Sequence, residues 1–305
     1  MKITVMGAGA MGSVYGAYLS RVPGNQVYML DVWREHVEAI NANGLKIKDG
    51  AEDVIFPVKA ACTAGEIGVS DLVIVFVKSI STAQAMADNR DLFGEKTIVM
   101  SLQNGYGNAD DIAEFVPRDN IIIGTTSHGA NVLGPGYIKH AGTGITAIGG
   151  LTGAGAVFAQ NLAPIFTQAG FNVQVMDNVM EIVWHKLFYS VGCNALTALL
   201  NVTNGTLLNS ESSLSLMKEL VYEAVEVANA SGMRFDKDKE LEHVRQVSKL
   251  TGENRSSMLQ DVSNKRRTEI DKMNGIITKM GQDLGIETPA NKTITALTRA
   301  LEAFY

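Results

Sequence analysis

The apolar positions in the first half of the chain fall into short, β-branched runs separated by stretches of helical period. Ile3–Met6, Val27–Leu30, Leu72–Val77, Thr97–Ser101 and Ile121–Gly124 are nearly continuous in apolar character and bounded by turn residues, the pattern of strands covered on both faces. Between them the period predicts helices over Met11–Leu19, Arg34–Asn43, Thr82–Asp88 and Asn108–Phe115, the first of them amphipathic. Such alternation implies right-handed βαβ units and a doubly wound parallel sheet. Further on, turns at Gly134-Pro135-Gly136 and Gly142-Thr143-Gly144 separate late strands, followed by a helix over Ala154–Ala169 and a last strand over Asn172–Met176.

Past about Asp177 strand signals vanish. Val179–Leu200, Leu214–Ser231, Lys237–Lys249, Ser263–Leu284 and Lys292–Phe304 read as helices, with Gly285 closing the fourth and Pro289 soon after. A chain of 305 residues exceeds what one hydrophobic core usually serves. The expected division is an α/β domain over 1–177 and an all-helical domain over 178–305, with a small-molecule site between them as the default.

The first strand runs into Gly7-Ala8-Gly9-Ala10-Met11-Gly12, and Asp31 closes the next strand nineteen positions beyond Gly12. Strand, G-x-G-x-x-G, helix, strand and acid together form the dinucleotide-binding fingerprint of a Rossmann-type domain. Gly7 permits the tight turn, Gly9 lets backbone approach a pyrophosphate, and Gly12 brings helix and strand close. The helix N-terminus offers unpaired N–H groups to phosphate, and Asp31 stands where a ribose diol would sit. This supports a nicotinamide or flavin nucleotide and leaves the substrate open.

Composition narrows the classes. The chain is 46% apolar and 19% charged, with a net charge of −6, which disfavours a nucleic-acid surface. Cys62 and Cys193 are too few and too far apart for a disulfide framework or a zinc site, and no His/Cys/Asp/Glu cluster has metal-ligand spacing. Cys193 falls in an apolar helical pattern as a small buried side chain. No run of eighteen apolar residues suggests a membrane span, and without an export signal the expectation is the cytoplasm. Base rates make a homodimer the expected assembly.

Lys186 lies in Trp184-His185-Lys186-Leu187-Phe188, followed by Ser190 at i+4 and Asn194 at i+8 on one helical face. Most helix lysines are solvated. Here, however, residues 187–200 carry no charge, so Lys186 heads a polar stripe on a largely buried helix and needs a partner or a function. Its ammonium suits proton donation to a carbonyl as hydride arrives. Glu269, with Ile270, Met273, Ile277, Met280 and Leu284 forming the apolar stripe, borders that stripe through Met273. It either points into a cleft or serves the start of its helix, where Thr268 and Asp271 have a capping-box spacing. Lys78 and Asn104 follow strands at the end where α/β ligands bind, although Asn104 before Gly105 also suits a turn. Lys265-Arg266-Arg267 reads as a solvated helix face. His128 and His140 have no recognisable orienting neighbour and read as structural or backbone-bonded.

The chain resembles the ketopantoate reductases (2-dehydropantoate 2-reductases) over nearly its whole length. The resemblance rests on the glycine motif, Val77-Lys78-Ser79, Gln103-Asn104-Gly105 and Gly124-Thr125-Thr126-Ser127-His128-Gly129-Ala130. It also rests on Trp184-His185-Lys186-Leu187, Asn194-Ala195-Leu196-Thr197-Ala198, Asn204-Gly205, Ser256-Ser257-Met258-Leu259-Gln260-Asp261 and Thr268-Glu269-Ile270-Asp271. It implies a Rossmann domain plus a helical domain, Lys186 as proton donor to the C2 ketone of a 2-keto acid, and Glu269 lining the site near lysine and cofactor. Lys78, Asn104 and Ala130 would lie at the nicotinamide, and Asn194, Asn204 and the segment from Asn254 to Ser257 would hold the substrate's carboxylate and hydroxyl.

Two positions depart from the family pattern. Ser190 stands where members commonly carry Asn one turn after the lysine, and a hydroxyl lacks the amide fork. Asp31 stands where an NADPH-dependent member carries a basic residue; a carboxylate accepts ribose hydroxyls and repels a 2′-phosphate, which Arg34 would offset in part. The resemblance therefore implies NADPH while Asp31 favours NADH. Together the departures point to the branch that resembles NADH-dependent D-2-hydroxyacid dehydrogenases acting on bulkier 2-keto acids. A non-catalytic dinucleotide sensor is the alternative of another class, and it gives no reason for Lys186, Asn104, Asn194, Ser257 and Glu269 to occur together.

Overall fold

A computed structural model describes residues 1–305. The first half contains β1 (Lys2–Met6), α1 (Ala10–Leu19), β2 (Gln26–Leu30), α2 (Arg34–Asn43), β3 (Leu45–Asp49), β4 (Glu52–Phe56), β5 (Lys59–Ala61), β6 (Leu72–Val75), α3 (Thr82–Asp88), β7 (Ile98–Ser101), α4 (Asn108–Ala113) and β8 (Ile121–Thr126). Then come β9 (Gly129–Gly134), β10 (Tyr137–Gly142), β11 (Ile145–Gly150), α5 (Gly153–Gln168) and β12 (Asn172–Val175). The rest is helical: α6 (Val179–Leu200), α7 (Glu211–Ala230), α8 (Lys237–Leu250), α9 (Ser257–Ser263), α10 (Asn274–Leu284) and α11 (Pro289–Glu302). Two compact units emerge, one of residues 1–103 with 108–182, the other of 104–107 with 183–305.

In the first unit an eight-stranded sheet runs β12-β11-β8-β7-β6-β1-β2-β5. Strands β5, β2, β1, β6, β7 and β8 run parallel; β11 pairs antiparallel with β8 and parallel with β12, so these last two run the other way. From β1 the chain winds outward to β2, then returns to β6 on the other side, so the topological switch lies at the carboxyl ends of β1 and β6, where α/β folds bind ligands.

The sequence pattern misses β3, β4 and β5. β3 reads Leu-Lys-Ile-Lys-Asp with alternating burial, and a two-residue turn at Gly50-Ala51 joins it to β4. Gly50 at the first position of that turn, with φ +60°, was the available hairpin signal. With β10 and β9 this hairpin builds a second sheet, β4-β3-β10-β9. Helix α1 contacts strands of both sheets, so residues 12–19 are buried on every side rather than along one stripe.

His128 and His140 are held by side chains. His128 Nδ1 lies 3.1 Å from His140 Nε2, His140 Nδ1 lies 3.0 Å from the Tyr18 hydroxyl, and that hydroxyl donates to Asp49 at 2.9 Å. This relay ties α1 to β3, to β10 and to the link between β8 and β9, segments that sequence spacing alone leaves unconnected.

In the second unit α6 threads the core, with Trp184, Phe188 and Val191 fully buried. Glu223 on α7 accepts the Ala290 and Asn291 N–H groups at 2.8 and 2.9 Å, an acid at the N-terminus of α11 beside Pro289 at its first position. Asn274 donates to the Val191 carbonyl and to Asn291, linking α6, α10 and α11. The long helix expected over Ser263–Leu284 is broken. α9 ends at Ser263, Lys265 takes φ +52°, and residues 270–272 form a short 3-10 turn before α10. Glu269 is therefore not in the first turns of an α-helix, Thr268 and Asp271 form no capping box, and Lys265-Arg266-Arg267 is an exposed loop.

Burial lowers the pKa of His36 and His128 below 6.5, with His140 adding to the effect at His128. The folded protein thus binds these protons less readily than the unfolded chain, and stability is lost as pH falls below about 6.5. Melting temperatures measured from pH 7.5 to 5.5 are expected to fall, with a shallower slope in His128→Gln; an equal slope in that variant would assign the acid sensitivity elsewhere.

Candidate active site

In the α/β unit the glycine turn has the geometry a dinucleotide requires. Gly7 has φ +99°, and a Cβ there would lie 2.5 Å from the Val77 nitrogen. A Cβ on Gly12 would lie 2.0 Å from the Gly7 carbonyl oxygen, so α1 can start this close to β1 only with glycine at that position. Gly9 differs: its Cβ would meet nothing within 4 Å. Gly9 is also the N-cap of α1, with no side-chain cap. Open space beside the helix start, with Ala8, Ala10 and Met11 completing the turn, fits a pyrophosphate.

Asp31 follows β2 and is half-buried, and its Oδ1 accepts the Trp33 N–H at 2.9 Å. Lys78 follows β6 as the half-buried residue preceding a 3-10 turn. Gln103, not singled out from the sequence, organises this end of the sheet. Its amide donates to the Val77 carbonyl at 2.7 Å and to Thr82 at 2.8 Å, while its oxygen accepts from Ser101. Ala130 lies on edge strand β9, paired with His140.

The helical unit gathers the other residues. Lys186, Ser190 and Asn194 share one face of α6, and Ser190 and Asn194 are each 5% exposed. Burial lowers the Lys186 pKa to about 8, while the negative charge of Glu269 pulls it upward. Glu269 is itself 9% exposed, so the two opposite charges share a weakly solvated setting. Asn194 donates to the Met273 sulfur at 3.6 Å, which brings the segment carrying Glu269 against the same helix face.

Asn104 belongs to the helical unit with its neighbours 105–107. The Tyr106 N–H donates to the Lys272 carbonyl at 2.9 Å, and its ring packs on Trp184 with centroids 4.9 Å apart. The Asn104 turn thus meets both the Glu269 segment and the head of the Lys186 stripe. Thr197 joins Asn194 to the other end of the stripe, donating to the Asn194 carbonyl at 2.9 Å and lying 2.7 Å from the Ser256 hydroxyl. Ser256 caps α9, and Ser257 follows it, exposed, at the first helical position. Asn204 is buried; its N–H donates to the exposed Asn254 through the backbone carbonyl at 3.0 Å, and its amide donates to Thr251. The Asn204 Oδ1 is buried without a protein partner.

A family profile described as ketopantoate reductase PanE/ApbA matches residues 3–153, and its C-terminal counterpart matches residues 178–302. The chain belongs to the ketopantoate reductase family. The 2-dehydropantoate 2-reductase of Halobacterium salinarum is 36% identical over 302 residues, covering 98% of both chains. That of Pyrococcus horikoshii is 36% identical over 303 residues, covering 99% of this chain and 98% of its own. Among solved structures, the ternary complex of D-mandelate dehydrogenase with NADH and anilino(oxo)acetate gives a TM-score of 0.94 at 31% identity, covering 100% of this chain and 99% of that one. A ketopantoate reductase of this family from Ralstonia eutropha JMP134 gives 0.90 at 33%, with the same coverage. The chain is therefore an oxidoreductase of the 2-dehydropantoate 2-reductase type working with a nicotinamide dinucleotide. No helix is long and apolar enough to cross a membrane.

Gly9 and Gly12 make separable expectations. Gly9→Ala should leave the melting temperature within about 2 °C while weakening dinucleotide binding roughly tenfold or more, measured by fluorescence titration. Gly12→Ala should cost about 1–3 kcal/mol of stability through overpacking. Unchanged affinity in Gly9→Ala would remove the turn from the binding site.

Proposed function

We propose that this oxidoreductase reduces the C2 ketone of a 2-keto acid, ketopantoate first among them, with Lys186 as proton donor. The observation that carries the reading is Lys186 itself: a buried ammonium whose pKa is lowered to about 8 by burial and opposed by Glu269, at the head of a polar helix face. A donor needs a pKa near the working pH, and burial supplies it.

When bound, the nicotinamide dinucleotide supplies hydride. Gly7, Ala8, Gly9, Ala10, Met11 and Gly12 would hold its pyrophosphate, Asp31 would take a ribose diol, and Lys78, Asn104 and Ala130 would border the nicotinamide. Lys186 hydrogen-bonds the keto oxygen, stabilises the charge that develops there and delivers the proton. Glu269 keeps that lysine protonated. Ser190, Asn194, Asn204, Asn254 and Ser257 orient the acid's carboxylate and side chain; the unpartnered Asn204 oxygen suits a substrate hydroxyl donor. In this reading residues 1–177 bind the dinucleotide and 178–305 supply the substrate groups, in a cytoplasmic homodimer.

Asp31 favours NADH over NADPH, since a 2′-phosphate beside a carboxylate is repelled. A second reading follows from Asp31 together with Ser190: an NADH-dependent D-2-hydroxyacid dehydrogenase acting on bulkier 2-keto acids. The likeness to a D-mandelate dehydrogenase supports it.

Comparing kcat/KM for ketopantoate and 2-ketoisocaproate, each with NADH and NADPH, separates the readings. Ketopantoate should be preferred with NADH; preference for 2-ketoisocaproate selects the second reading, and preference for NADPH overturns the role of Asp31. Lys186→Ala should lower kcat roughly 10²–10⁴-fold with little change in dinucleotide affinity. Reduction by the unaltered enzyme needs the protonated lysine and should decline as pH rises past about 8. Near-normal turnover in Lys186→Ala would sink the mechanism.

A further inference from the structure

We infer that Glu302, at the end of α11, is a positioning residue for Glu269 and, through it, for Lys186. The inference rests on the reading of Lys186 as proton donor. An acid in the last turn of a helix faces the negative end of the helix dipole, so its placement there calls for a partner. The partner is Thr268. The Thr268 N–H donates to Glu302 Oε1 at 2.8 Å, and the Thr268 hydroxyl donates to the same oxygen at 2.5 Å. That hydroxyl in turn accepts the Ile270 N–H at 3.2 Å. Thr268 is 1% exposed, which strengthens a charge-assisted pair of bonds of this kind.

Glu269 sits between the two residues fixed in this way. One position further, Asp271 receives Arg299 through Nε at 2.8 Å and a terminal nitrogen at 2.6 Å, and Arg267 at 3.2 Å. Arg299 and Glu302 lie three apart on one face of α11, so the last helix grips the Glu269 segment at two points. The opposite end is held by Tyr106 through the Lys272 carbonyl. The segment has no continuous helix of its own to fix it. Its geometry therefore comes from these outside contacts, and the attraction between Glu269 and Lys186 weakens with distance when they are lost.

The full-length enzyme tests this through the pH dependence of 2-keto acid reduction, using whichever of ketopantoate or 2-ketoisocaproate it turns over faster. In Glu302→Ala the alkaline decline in kcat is expected to move to lower pH, with kcat at pH 8 reduced roughly fivefold and KM for the dinucleotide within about twofold. Thr268→Val should shift the profile the same way with α11 intact. Glu302→Gln keeps an acceptor oxygen for both Thr268 donors and should restore the normal profile. A Glu302→Ala or Thr268→Val enzyme that melts earlier yet keeps the normal pH profile overturns the inference and makes the contact a stabilising clamp alone. A Glu302→Gln enzyme as impaired as Glu302→Ala overturns it too. Lys186→Ala measured alongside distinguishes the two levels: activity there removes the donor reading itself, whereas its loss beside an unshifted Glu302→Ala removes only the positioning role.

Discussion

Placing an ammonium group on a helix whose next fourteen residues are uncharged is the constraint around which the helical unit is organised. Burial lowers the Lys186 pKa to about 8, and the Glu269 carboxylate works against that shift. Desolvation alone would favour the neutral amine; a carboxylate in the same poorly solvated surroundings keeps the charged form accessible. The unit must then hold an acid near that lysine without burying it unpaired. It does so by interrupting a helix, so that residues 268–272 exchange bonds within one turn for bonds to α11 and to the Asn104–Gly107 turn.

Hydroxyl groups do much of the remaining positioning. Thr197 links the Asn194 carbonyl to the Ser256 cap of α9, and Thr251 accepts from Asn204 while donating to its own helix. Each of these groups is buried or half-buried and bonded on both sides, so the polar face of α6 is oriented by a lattice of short side chains. Such groups lose little conformational entropy when fixed, which suits a site that must be ordered before substrate arrives.

The α/β unit meets a different constraint, the closeness of backbone to backbone at the first turn. With the Gly7 carbonyl oxygen 2.0 Å from where a Cβ of Gly12 would stand, and the Val77 nitrogen 2.5 Å from where a Cβ of Gly7 would stand, β1, α1 and the end of β6 approach to distances no larger residue allows. Gly9 alone leaves open space, and it does so at an uncapped helix start. The same turn both packs the fold and exposes N–H groups to an anion. The Gln103 amide then ties the ends of β6 and β7 together beside it.

Elements whose signals are local could be read from the chain directly. The buried parallel strands, the glycine turn and its acid, helices α2, α3 and α6, and the charge-free stretch after Lys186 were all legible, because apolar period, glycine spacing and missing charge are properties of neighbouring residues. The family resemblance was legible in motifs spread along the chain. Tertiary structure decided what depends on partners distant in sequence. It covered α1 with a second sheet whose β3–β4 hairpin had a turn signal but little apolar length, and joined His128 to Asp49 through His140 and Tyr18. It also turned a stretch of good helical period at 263–284 into a bend, because Thr268 and Lys272 gain backbone bonds from Glu302 and Tyr106. A backbone group is satisfied equally well by a near or a remote partner, and only the packed chain brings the remote one within reach.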